Sequence, residues 1–80
     1  MNNKLTREIT KLTAKKIRGV ISIYNFDGYF YIDIIDNNNF VWRYLLEDIG
    51  MNISLMKKAK LVSSAIVIAY RKYINNRYFY

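Results

Sequence analysis

The sequence has no cysteine, no histidine and no proline, only three glycines, and six acidic residues against thirteen basic ones. Each shortage removes a class of chemistry. Without cysteine there is no disulfide framework, no thiolate nucleophile and no thiolate metal site. Without histidine the commonest general base and zinc ligand is missing as well. The three glycines stand apart and form no phosphate-cradling loop, and Ser63 and Ser64 have no base beside them that would make either a nucleophile. The remaining carboxylates of interest, Asp33 and Asp36 with Glu47 and Asp48, could in principle hold magnesium for a nuclease, but turn chemistry and strand pairing account for each of them. A binding protein is therefore expected rather than an enzyme, with no catalytic residue, no metal site and no cofactor.

Long apolar runs are missing too. Residues 1–16 carry no stretch of the kind a signal peptide needs. The longest apolar segment, Leu61 to Tyr70, is ten residues long with two serines inside it, too short for a transmembrane span. A cytoplasmic location is the default expectation. Phe, Tyr, Met, Ile, Asn and Lys supply 44 of the 80 residues, whereas Gly, Ala, Arg and Pro supply 12. The first group has A+T-rich codons, which suits an A+T-rich bacterium or a phage or plasmid that lives in one.

What is present is enough for one small domain spanning residues 1–80. The chain is 52% apolar and 16% aromatic, with no linker and no internal repeat. From Asn3 to Arg18, Leu5, Ile9 and Leu12 mark one helical face, and Gly19 closes the segment. The period then changes to two around Asp27-Gly28, a strong hairpin signal. With those two as the turn, Phe26 faces Tyr29, Tyr24 faces Tyr31 and Ser22 faces Asp33, while Ile23 faces Ile32 and Ile21 faces Ile34 on the core side. Asp36 to Asn39 turns the chain into a third strand, Phe40 to Leu46, which ends at Glu47-Asp48 and Gly50. A three-residue loop there pairs Asp33 with Arg43 and sets Trp42 and Tyr44 beside the isoleucines. The other loop lengths would bury Arg43 alone, an uncompensated charge. A second helix, capped by Ser54, carries Leu55, Ala59, Val62, Ile66, Ala69 and Tyr73 on one stripe, widened by Met56, Val67, Tyr70 and Ile74. The expected fold class is α+β: helix, three-stranded antiparallel β-meander, long C-terminal helix, with both helices on one face of the sheet.

The net charge of +7 is unevenly distributed. Residues 1–18 carry +5, residues 19–53 carry −4, and residues 54–80 carry +6 with no acid at all. On a wheel, Lys4, Arg7, Lys11, Lys15 and Arg18 fall within about 80° of arc, a ridge roughly 20 Å long opposite the apolar stripe. A solvated face ordinarily mixes glutamate among its lysines, and this ridge has no such pairing, which points to an anionic partner. Lys57, Lys58 and Lys60 open the second helix, where the macrodipole disfavours cations. Lysines beside free amides at that end attract phosphate.

The order of elements, with Met56-Lys57-Lys58-Ala59-Lys60 opening the last helix and Ser63-Ser64 behind it, resembles double-stranded-RNA-binding domains, whose final helix opens with lysine-lysine-any-alanine-lysine before paired alanines. Met56 stands where the family has its first lysine, and the tight Asp27-Gly28 turn replaces the family's long loop between strands one and two. The resemblance implies that Lys57, Lys58 and Lys60 meet phosphates across a groove, with the first helix flanking them.

The leading expectation is a small nucleic-acid-binding accessory or regulatory protein that contacts the phosphate backbone through Lys4, Arg7, Lys11, Lys15, Arg18, Lys57, Lys58, Lys60, Arg71 and Lys72. The alternative is a protein-binding effector or inhibitor. It would use Tyr24, Phe26, Tyr29 and Tyr31 on the outer sheet face, with Leu61 and Ile68, seven residues apart on the polar side of the second helix, as a homodimer seam. A stacking platform for bases on the tyrosine face is disfavoured because Asp27, Asp33 and Asp36 would repel phosphates. Residues 70–80 interleave cations with aromatics and read as a basic arm suited to nucleic acid, a membrane surface or a partner.

Overall fold

The computed structural model describes residues 2–47 and 52–78. It contains α1 (Asn3–Ala14), β1 (Val20–Phe26), β2 (Tyr29–Ile35), β3 (Val41–Leu46) and α2 (Leu55–Tyr78), an α+β arrangement with one open antiparallel sheet in the order β1-β2-β3. Met1, Asp48 to Met51 including Gly50, the side chain of Tyr78, and Phe79 and Tyr80 lie outside the described residues.

Helix α1 starts where the Asn2 side-chain oxygen accepts the Leu5 N–H at 2.8 Å, a side-chain cap on an otherwise orphaned amide. It ends earlier than its pattern suggests. The helix was expected to run to Arg18, but it stops at Ala14, and the N–H groups of Lys16 and Ile17 both converge on the Thr13 carbonyl. The cause lies in packing. Ile17 turns inward to 7% exposure, and the chain then passes so close to β2 that a Cβ on Gly19 would sit 2.6 Å from the Ile35 carbonyl oxygen. Gly19 takes φ +146°, a conformation that side chains rarely adopt, so this passage requires glycine.

Both hairpins take the expected register. Asp27 (φ 55°) and Gly28 (φ 84°) both lie in the left-handed region, as the tight two-residue turn demands, and Tyr24 pairs with Tyr31 while Ile23 pairs with Ile32. In the second turn the Asp36 carboxylate accepts the N–H groups of Asn38 (2.8 Å) and Phe40 (3.1 Å), and Asn39 supplies the left-handed residue at φ 64°. Asp33 therefore faces Arg43, and Trp42 and Tyr44 face Ile34 and Ile32. The Arg43 guanidinium grips Asp33 with two hydrogen bonds, at 3.0 and 3.1 Å, on the solvent side.

The core fills the space between that sheet face and the helices. Ile9, Ile32, Ile34 and Ile66 are fully enclosed, joined by Leu5, Val62 and Tyr70, and Trp42 packs on Tyr44 at 5.1 Å and edge-on to Tyr70 at 5.3 Å. Met56, expected to widen the stripe, is 47% exposed instead.

Thr13 lies beside Ser63, and Lys16 to Arg18 lie with Tyr70, Arg71, Ile74 and Asn75, so α1 and α2 run in the same direction. Their alignment is set by a buried contact between Thr13 and Ser63, whose hydroxyls lie 3.0 Å apart. Helix α1, 12 residues long, thus lies beside the first half of the 24-residue α2. At 1.5 Å per residue, α2 overruns α1 by roughly 21 Å. That step between the helices shapes the candidate site.

Candidate nucleic-acid interface

The exposed surface of the helix layer carries most of the positive charge. Lys4, Arg7 and Lys11 lie on the exposed side of α1, opposite the buried Leu5 and Ile9. Lys15 caps the carboxyl end of the helix and Lys16 follows it, both exposed. The ridge was expected to have no acidic neighbour, but Glu8 lies 3.7 Å from the Lys11 ammonium one turn away. At that length on an exposed helix such a pair contributes little, and it tempers one cation of the row. Arg18 leaves the ridge because α1 ends before it. With Lys16 and Arg71 it lines a second groove beside the β2–β3 turn, where Asp36, Asn37 and Asn38 contribute the opposite wall.

On α2 the three opening lysines do not form one cluster. At about 100° per residue, Lys58 and Lys60 project roughly 160° apart, so they serve opposite flanks of the helix. Lys57 and Lys60 are exposed and Lys58 is half-buried. The amides at this end are partly spoken for, since the Ser54 hydroxyl accepts the Lys57 N–H at 3.3 Å and its carbonyl accepts the Lys58 N–H at 3.0 Å. Lys60 has its nearest cationic companion far along the chain. Arg71, eleven residues on, projects only about 20° from it.

Lys60 and Arg71 flank a groove whose far side is Lys15 and Lys16 at the end of α1. Four cations from both helices thus meet where the sequence offered three neighbours on one. Lys16 stood outside the expected set, and only the early end of α1 brings it to the groove. Among the described residues, none of Lys4, Arg7, Lys15, Lys16, Arg18, Lys57, Lys58, Lys60, Arg71 and Lys72 has an acidic side chain within ion-pair distance.

No protein-family model, curated protein or solved structure matches the chain.

The described part of the stretch read as a basic arm, residues 70–80, continues α2 to Tyr78. Tyr70 is buried, Tyr73 and Ile74 are half-buried against the core, and Arg71 and Lys72 project outward. Arg77 reaches back across the molecule, its guanidinium 3.0 Å from the Asp36 carboxylate and 3.8 Å above the Phe40 ring. This tie joins residues 41 positions apart and has no local sequence signature.

The outer sheet face divides into two parts. Tyr24 stacks on Tyr31 at 5.9 Å, and its hydroxyl donates to Asp33 at 3.0 Å under the Arg43 guanidinium. These hydrogen bonds from Arg43, with that from Tyr24, outweigh burial and hold the Asp33 carboxyl below the usual range. Burial, with the Asp33 carboxylate, pushes the Tyr24 phenol up. Burial also acts to raise Asp36, but Arg77 and the amides of Phe40 and Asn38 prevail and lower it. Asp33 and Asp36, expected to repel phosphates, are therefore each engaged by a guanidinium. Phe26 and Tyr29 at the hairpin end are free, 67% and 59% exposed, as are Leu61 and Ile68 on the outer side of α2 at 49% and 58%. Among the described residues no helix is long and apolar enough to cross a membrane, and no three acidic side chains are grouped to hold a metal ion.

Proposed function

We propose that the chain binds nucleic acid through phosphate contacts made by its helix layer, acting as an accessory or regulatory protein rather than an enzyme. The observation that carries this reading is the unpaired row of cations on two helices that run the same way. Lys4 and Arg7 lie along α1 with Lys15 at its end, Lys57, Lys60 and Arg71 lie along α2, and two of the sheet's acids, Asp33 and Asp36, are already held by Arg43 and Arg77. Cations left without partners repel one another and cost stability, which an anionic polymer relieves by counter-ion release. The aligned amino ends of the helices add a positive potential at one end of the row. No side chain is placed as a clear reader of bases, so affinity with little sequence preference is expected.

The test is fluorescence anisotropy against labelled single- and double-stranded DNA and RNA over a range of salt. Affinity should fall as a steep power of salt, with a log–log slope of about −0.9 per phosphate neutralised on a duplex. Reversing Lys57 and Lys60 together with Arg7 should abolish binding while the circular dichroism spectrum is kept. No binding to any of the four at about 50 mM salt refutes the reading, because the electrostatic contribution is largest there.

A second reading rests on the exposure of Phe26 and Tyr29 at the open end of the sheet. Aromatics of that kind anchor protein interfaces, as in an effector or inhibitor carried by a phage or plasmid and directed at a host protein. Loss of biological activity on changing Phe26 and Tyr29 to serine, with nucleic-acid binding absent or intact, favours this reading over the first.

A further inference from the structure

We infer that the groove at the carboxyl end of α1 seats a nucleoside phosphate, either free or as one unstacked residue of a strand. The inference goes beyond phosphate-backbone binding, because it assigns the protein a defined place for a base and sugar.

The groove exists because α1 stops at Ala14 while α2 continues, which uncovers a stretch of the flank of α2. Val67, 6% exposed, lies at its base, with Leu12 from α1 and Ile68 from α2 completing an apolar lining. Lys15 and Lys16 stand on one side and Lys60 and Arg71 on the other, and no acidic residue lines it. The second groove differs on that point, since Asp36 contributes to its wall. At about 430 Å³ the space is of the size that takes a small organic ligand.

Charge and shape together narrow the ligand. Four unpaired cations around one apolar patch are poorly matched by a fatty acid, which brings a single negative charge, and inorganic phosphate leaves the apolar lining empty. A nucleoside phosphate meets both demands. Its base covers Leu12, Val67 and Ile68, the Arg71 guanidinium can stack on the base or grip phosphate, and the lysines neutralise a polyphosphate or the successive phosphates of a strand. Ser64, exposed beside Ile68, adds a hydroxyl that can donate or accept.

Calorimetric titration with ATP, inorganic phosphate, oleate and a thymidine oligonucleotide tests this. ATP should bind at least about tenfold more tightly than inorganic phosphate, since the base adds apolar contact. Ser64→Trp, which fills the groove from an exposed position, should weaken ATP by about tenfold or more with the melting temperature kept. Should that variant unfold, Lys60→Ala with Arg71→Ala gives the same reading from two exposed positions. If ATP binds and the oligonucleotide does not, the ligand is a free nucleotide; this inference stands and the strand-binding function falls. If only the oligonucleotide binds and Ser64→Trp weakens it without changing its salt slope, the seat serves an unstacked residue of a strand. Binding of oleate but not ATP overturns the inference. So does an unchanged affinity of the groove variants for both ATP and oligonucleotide, and in that case a loss of oligonucleotide binding in Lys4→Glu with Arg7→Glu would leave the strand-binding function standing.

Discussion

The hydroxyl pair that aligns the helices makes a demanding prediction. Thr13 is fully buried and Ser63 is 5% exposed. The Thr13 hydroxyl donates to the Ile9 carbonyl at 2.7 Å, so its single proton is committed. Ser63 must therefore be the donor in the 3.0 Å contact with the Thr13 oxygen. Thr13→Val keeps the shape of the side chain and removes the acceptor, which strands a buried donor and should cost about 1–3 kcal/mol. The lower part of that range is expected, because the Ser63 hydroxyl can turn back to the carbonyl four residues before it on its own helix. Ser63→Ala removes the donor, leaves Thr13 bonded to Ile9, and should cost roughly 0.5–1.5 kcal/mol. The double variant strands no donor, so its destabilisation should fall short of the sum of the two by about 1 kcal/mol. For a domain of this size 1 kcal/mol shifts the melting temperature by about 4–8 °C, well within the reach of thermal or urea unfolding followed by circular dichroism. Additivity of the two single changes within about 0.3 kcal/mol would refute the proton assignment and the claim that the pair is coupled.

Gly19→Ala should destabilise by more than Gly28→Ala, because both add a side chain at positive φ, costing roughly 1–3 kcal/mol, but only at Gly19 does the new Cβ meet a backbone oxygen. Unfolding midpoints in urea decide this, and an equal or larger loss at Gly28 refutes the account of why α1 ends where it does. Acid should lower stability through Asp33 and Asp36, whose carboxyls are both held below the ordinary range. Groups shifted that way contribute stability that is complete above about pH 4 and is lost as pH falls through their folded-state values, because the unfolded chain takes up protons first. Asp33→Asn should lower stability at pH 7 and flatten the pH dependence below about pH 4; a variant as steeply acid-sensitive as the parent refutes the role given to the Arg43 pair.

Sheet register was legible in the sequence to the residue, and for reasons that can be named. Two consecutive positions able to take positive φ force the first turn, and once Asp27 and Gly28 occupy them every cross-strand neighbour follows. The second turn was decided by charge rather than by loop preference. Only one register gives Arg43 a carboxylate across the strand, and the two hydrogen bonds to Asp33 are that pairing. The end of α1 was not legible, because nothing local distinguishes Lys15 to Arg18 from the helical pattern before them. The decision is made by Ile17 finding a place in the core and by the close pass of Gly19 against Ile35, both of which need the assembled sheet. Thr13 could have been found: it continues the four-residue spacing of Leu5 and Ile9, and a hydroxyl on that line has to meet a partner inside.

The charge map misjudged one grouping, and the error has a single physical source. Adjacency along a helix is not adjacency in space. Lys57, Lys58 and Lys60 look like a cluster in the chain, yet the helical turn separates Lys58 from Lys60, while Lys60 and Arg71 come together on one line. The acidic segment between the helices was read only in part. Asp33 was expected to face Arg43 and does, but Asp36, expected to repel phosphates, is held by Arg77 from the far end of α2. Asp33 and Asp36 are satisfied by guanidinium groups, and Lys15, Lys16 and Lys60 are left without acidic partners beside the end of α1. An anion approaching the end of α1 meets Lys15, Lys16, Lys60 and Arg71 around a groove with an apolar base rather than a flat ridge.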